Sequence, residues 1–183
     1  MNKINTTRRL CRAGIIAALY TVLTYVFGAL SHNGFLQIRP AEALCILPLF
    51  YVEAIPALYV GCMLANLTSP FFLYDVLLGS LVTLMAAALT YLAGKLFQKD
   101  SWKIAVGGLF PVLLNALCIP VIIVFLCGEP SGATFAAYTA TAVSIGVTEC
   151  IWVYALGAPL YFFIKRMCAK NVPAFCDYPL KKQ

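Results

Sequence analysis

Residues 104–127 read IAVGGLFPVLLNALCIPVIIVFLC, an apolar run of 24 residues with no charge, interrupted only by Asn115. A helix needs about 20 apolar residues to cross the ~30 Å hydrocarbon core of a bilayer, so this stretch predicts a membrane span. The rest of the chain agrees. Of its 183 residues, 62% are hydrophobic and only 11% charged, against about 25% charged in a soluble globular domain. Mean hydropathy is +0.89. The fold class is therefore all-α and polytopic. The length allows four to six spans and excludes a sizeable soluble domain.

Charge placement orients the chain. Twelve of the 13 Lys and Arg residues fall in three clusters: Lys3, Arg8, Arg9 and Arg12; Lys95, Lys99 and Lys103; and Lys165, Arg166, Lys170, Lys181 and Lys182. The net charge of +6 is membrane-flanking charge rather than a nucleic-acid footprint, and the positive-inside rule places all three clusters in the cytoplasm. Six helices are expected: Arg12 to Leu30, Pro40 to Val52, Ile55 to Leu67, Leu73 to Leu96, Ile104 to Cys127 and Ala133 to Ile164. Pro40 and Pro56 suit first helical turns, where a missing N–H costs nothing. Ser31-His32-Asn33-Gly34 and Gly128-Glu129-Pro130-Ser131-Gly132 read as outer loops.

The expected organisation is a cytoplasmic N-terminus (1–11), a transmembrane substrate-binding domain (12–167) and a cytoplasmic tail (168–183). The second and third helices are short. About 13 residues rise only ~20 Å, so they either cross a thin, tilted region or form a re-entrant pair. Both options keep the two termini inside. The apolar run from Ala13 to Leu30 exceeds a signal-peptide core of 7–15 residues and is read as a retained helix.

The eight cysteines show no C-x-x-C and lie mostly in apolar runs, where a thiol acts as a small hydrophobe. The expectation is no metal site and no disulfide framework. The single His32 cannot build a His-rich site. No P-loop, H-E-x-x-H or G-x-S-x-G occurs, so neither ATP hydrolysis by a P-loop nor zinc or serine hydrolysis is encoded. The expectation is no enzyme, and no cofactor in this chain.

Ionisable groups at membrane depth are costly and mark function by default. Asp100 and Asp177 sit among cations and read as solvated. Glu129 reads as hydrated, and Glu53 as a helix cap near Pro56. Glu42, Asp75 and Glu149 remain. Glu149 shares a helical face with Trp152 three residues on. A carboxylate beside an indole suits a flat heterocycle, because it accepts ring N–H bonds while the aromatic surface stacks. Arg39 and Glu42 are three apart on one helical turn. They read either as an interfacial ion pair or as part of a pocket. Asn66 and Asn115 either glue helices or read a ligand's donors and acceptors. In the first helix, Ala13 with Ala17 and Gly14 with Ala18 form two small-xxx-small patterns, which permit close helix approach.

The segments Gln37 to Leu44, Val52 to Pro56, Gly61 to Leu67, Asp75 to Leu84, Asn115-Ala116 and Thr148 to Ile151 together resemble the QueT family. These are substrate-binding S components of energy-coupling factor (ECF) transporters. The resemblance implies a six-helix bundle in a prokaryotic plasma membrane with a pocket near the outer face. It implies capture of a queuosine precursor, a 7-deazaguanine or queuine. It also implies assembly with a T component and two ATP-binding cassette ATPases, which would use the ATP. By the same resemblance Ala13 and Ala17 match the motif that docks on the T component, and Arg39, Glu42, Asn66, Asp75, Asn115 and Glu149 match polar positions of the pocket. Trp152 is added for stacking. Pro40 replaces an expected aliphatic residue, and the tail after Lys165 is longer than typical. Alternative readings are an S component for another heterocycle or a vitamin, a membrane thiol enzyme, and an assembly protein.

Overall fold

The structure is a computed structural model that describes residues 3–31, 38–69, 72–127, 134–170, 172 and 174–175. The residues around His32, the loop carrying Glu129, and Asp177 lie outside them. Six helical elements follow in order: α1 (Lys3–Ser31), a 3₁₀ helix (Pro40–Leu49), α2 (Ala54–Asn66), α3 (Phe72–Leu96), α4 (Asp100–Leu126) and α5 (Phe135–Ala169). Within the described residues α1, α3, α4 and α5 are long and apolar enough to cross a membrane. The chain is an all-α membrane protein.

The long helices overrun the apolar stretches that announce them. α1 starts at Lys3 rather than Arg12, and α5 runs to Ala169 rather than Ile164. Hydropathy marks the hydrocarbon core, whereas Lys and Arg are good helix formers that extend a nucleated helix into the headgroup zone. Near its far end α1 breaks at Gly28, whose φ of +35° is a conformation that side chains with a Cβ rarely adopt.

The second expected helix is 3₁₀, not α. Ten residues at about 2.0 Å rise still reach ~20 Å. Pro40 and Pro48 remove amide donors near its two ends. It packs against all five α-helices, and every residue from Pro40 to Pro48 is buried. A helix buried all round must be apolar all round, and Glu42 is the exception that requires partners.

Around it, Tyr20, Leu44, Cys45, Leu58, Cys62 and Ile164 belong to one apolar core joining α1, the 3₁₀ helix, α2 and α5. α1 and α2 touch closely. A Cβ on Gly61 would lie 2.9 Å from the Ala17 carbonyl.

Prolines inside spans free carbonyls that lipid cannot satisfy. Pro111 supplies no N–H to Gly107, and the Thr90 hydroxyl of α3 donates to that carbonyl at 2.8 Å. Pro120 is followed by a π turn at Ile122–Leu126, and another π turn at Trp152–Leu156 precedes Pro159 in α5.

Two acids depart from expectation. Glu53 stands at the N-cap of α2 but makes no side-chain cap bond. Instead it pairs with Arg12 Nε at 2.9 Å, because α1 delivers a nearly buried guanidinium beside it and ion pairing outweighs capping. Asp100 is not merely solvated. It pairs with Lys165 and accepts from the Tyr161 hydroxyl at 2.8 Å, tying the start of α4 to α5.

Candidate functional site

Tyr20 on α1 lies eight residues beyond Arg12, about 12 Å deeper along the helix. There the buried polar groups converge. The Tyr20 hydroxyl donates to Glu42 Oε1 at 2.5 Å. Arg39 Nη2 donates to the Tyr20 oxygen at 3.4 Å, and Arg39 Nε stands 3.7 Å from Glu42 Oε1. The Cys45 thiol donates to Glu42 Oε2 at 3.1 Å. Both oxygens of Glu42 are therefore occupied by the chain's own donors. Arg39, Glu42 and Tyr20 are all buried.

Glu149 on α5 joins the same cluster. It is 4% exposed and lies within electrostatic reach of Arg39 and Glu42, with Asn115 of α4 as its hydrogen-bond partner. Its Oε2 is buried with no hydrogen-bond partner. So is Arg39 Nε, which faces Glu42 beyond hydrogen-bond distance. A buried acceptor left open costs about 1–3 kcal/mol, more when charged. The site thus holds one guanidinium, one satisfied carboxylate and one carboxylate with a free oxygen, an arrangement that suits a ligand bringing N–H donors.

A second group adjoins it at the α2–α3 junction. Asn66 Nδ2 donates to the Asp75 carbonyl at 2.9 Å and approaches Cys62 Sγ at 3.4 Å. The Ser69 hydroxyl donates to Asp75 Oδ2, and Thr83 Oγ1 donates to Cys62 Sγ at 3.4 Å. Cys62 lies within electrostatic reach of Tyr20, Arg39 and Glu42, so it bridges the two groups. Asp75 opens a π turn, Asp75–Gly79, and such turns recur at functional positions.

Of the seven pocket residues expected from sequence, the structure gathers Arg39, Glu42, Asn115 and Glu149 in one cluster and binds Asn66 to Asp75 beside it. Trp152 is half-buried at the start of its π turn, with its amide bonded to the carbonyls of Thr148 and Glu149. Tyr20, Cys45, Cys62, Ser69 and Thr83 join these groups, although nothing in their sequence context marks them. Ala13 and Ala17 are half-buried, Ala17 against Gly61 of α2, whereas Gly14 and Ala18 are exposed.

Comparison with known proteins places the chain, though not its polar cluster, in a family. The profile of the QueT transporter family matches residues 10–166. The chain belongs to the QueT transporter family. It is also 36% identical over 100 residues to "Queuosine precursor transporter QueT" of Lactococcus lactis subsp. cremoris (strain MG1363), an alignment covering 54% of this chain and 58% of that relative. No solved structure matches. In this QueT-family chain the polar cluster is built from α1, the 3₁₀ helix, α4 and α5, all within the matched region. The family is one of transporters, not of enzymes.

Proposed function

We propose that the chain is the substrate-binding S subunit of an ECF-type importer. It takes a queuosine precursor, of 7-deazaguanine type or queuine, at the outer face of a prokaryotic plasma membrane, with both termini in the cytoplasm. The relative's name supports the ligand class, and the basic clusters support the orientation. The observation that carries the reading is the open Oε2 of Glu149 in a buried cluster that also holds Arg39 and Asn115.

A deazaguanine presents ring and exocyclic N–H donors along one edge and a carbonyl acceptor beside them. Glu149 takes the donor edge, since Glu42 is already filled. Arg39 or Asn115 donates to the carbonyl. Trp152 supplies an aromatic surface. Glu42 holds Arg39, and Tyr20 holds Glu42. Each charge-assisted bond contributes about 1.5–3 kcal/mol, so two or three of them in a dry site suffice for tight capture. The chain has no P-loop, so energy comes from outside it, through a T component and two ATP-binding cassette ATPases that use the ATP.

Uptake of labelled 7-aminomethyl-7-deazaguanine by cells expressing this chain with and without those partners tests the assignment. Accumulation only with the partners present is the expected result. Accumulation by this chain alone would sink the S-subunit reading.

A further inference from the structure

A groove of about 400 Å³ runs along α1 at the basic end of the bundle. Its floor on α1 is a continuous stripe from Thr7 and Arg8 through Ile15 to Leu19, and its other walls include Leu44 of the 3₁₀ helix and Leu160 and Ile164 of α5. The polar groups are gathered at one end. Arg12 there is already paired with Glu53, but Arg8 is exposed and makes no ion pair among the described residues. Beyond Arg12 the lining on α1 is purely aliphatic. From Arg8 to Leu19 the helix rises about 16 Å, which is one leaflet of a ~30 Å hydrocarbon core.

We propose that this groove is a binding site for one anionic phospholipid, with an acyl chain along Ile15 and Leu19 and the phosphate on Arg8. Two features select this occupant. The groove is one acyl leaflet long, and its single unpaired charge is a cation at the headgroup end. The leaflet facing the basic clusters is the cytoplasmic one, where anionic lipids give the negative surface potential that draws Lys and Arg at about 1 kcal/mol each. The site is separate from the Glu42–Glu149 cluster and needs no assumption about the transported substrate.

Native mass spectrometry of the full chain, released from detergent with equal amounts of 1-palmitoyl-2-oleoyl phosphatidylglycerol and the matching phosphatidylcholine, tests it. One phosphatidylglycerol should be retained at least about fivefold over phosphatidylcholine, the ratio expected of about 1 kcal/mol. Arg8→Ala should bring the two lipids level. Ile15→Trp should fill the groove and displace both, whereas Val26→Trp, on an exposed part of α1 beyond the groove, should change neither. Equal retention of the two lipids by the native chain, or unchanged preference in Arg8→Ala, overturns the proposal. So does an Ile15→Trp chain that keeps its lipid. If Ile15→Trp does not fold, Arg8→Ala decides alone, because its side chain is exposed and unpaired.

Discussion

Tyr20 and Glu42, 22 residues apart, meet through a 2.5 Å hydrogen bond in which the phenol donates to a carboxylate that is 1% exposed. This bond and the Cys45 thiol on the other oxygen keep a charge buried inside the 3₁₀ helix. Tyr20→Phe keeps the ring volume and removes the donor. The expected cost is about 1.5–3 kcal/mol of stability, seen as a lower unfolding midpoint in detergent. Combined with Glu42→Gln, the two losses should be less than additive. Full additivity would show that the pair is not coupled.

The two carboxylates should separate in their effects. Glu42→Gln removes a group whose partners are all in the protein, so it should destabilise the empty chain. Glu149→Gln changes a group with an open oxygen, so it should leave unfolding nearly unchanged while weakening ligand binding by about 10- to 150-fold. Parallel melting and binding curves for the two variants check this contrast.

Gly61 is fixed by the Ala17 carbonyl 2.9 Å from where its Cβ would lie. Gly61→Val must push α1 from α2, at about 1–3 kcal/mol or more. Gly14→Ala, on the open face where an added Cβ meets nothing, should instead be neutral or slightly stabilising, through the higher helix propensity of Ala. Thermal unfolding of both proteins measures the difference.

These pairings also mark how much was legible in the chain. Asn115, Glu149, Arg39 and Glu42 stand out because a charge or amide in an apolar run has no bland solvent-facing role there. Tyr20, Cys45, Cys62 and Thr83 do not, since a phenol, thiol or hydroxyl within an apolar helix is ordinary filler. Their contacts depend on elements 20 or more residues apart, or on which way a buried helix turns. Helix positions followed from apolar runs, but the 3₁₀ geometry of Pro40–Leu49 did not, because spacing this short carries no clear period. Likewise the small residues of α1 permit close packing, while only the fold shows that Gly61 of α2 packs against Ala17.

At the basic end, Arg12 and Glu53 are each only about one-tenth exposed, and the Arg12 guanidinium lies 4.1 Å from the Tyr51 ring centre. Breaking a buried pair from one side leaves a stranded charge, at about 3–5 kcal/mol. Arg12→Met and Glu53→Gln should each destabilise by that order, and the double variant should recover part of the loss. Unfolding of the three proteins beside the native chain tests the cycle.

In the proposed function Glu149 reads the donor edge of a deazapurine. Calorimetric titration of the purified full chain with 7-aminomethyl-7-deazaguanine, its cyano analogue, queuine and guanine, for native protein and Glu149→Gln, tests it most directly. Saturable one-to-one binding of a deazapurine by the native chain, lost in a variant that still folds, is the expected result. Equal binding by both proteins, or no deazapurine binding by folded native chain, would contradict it.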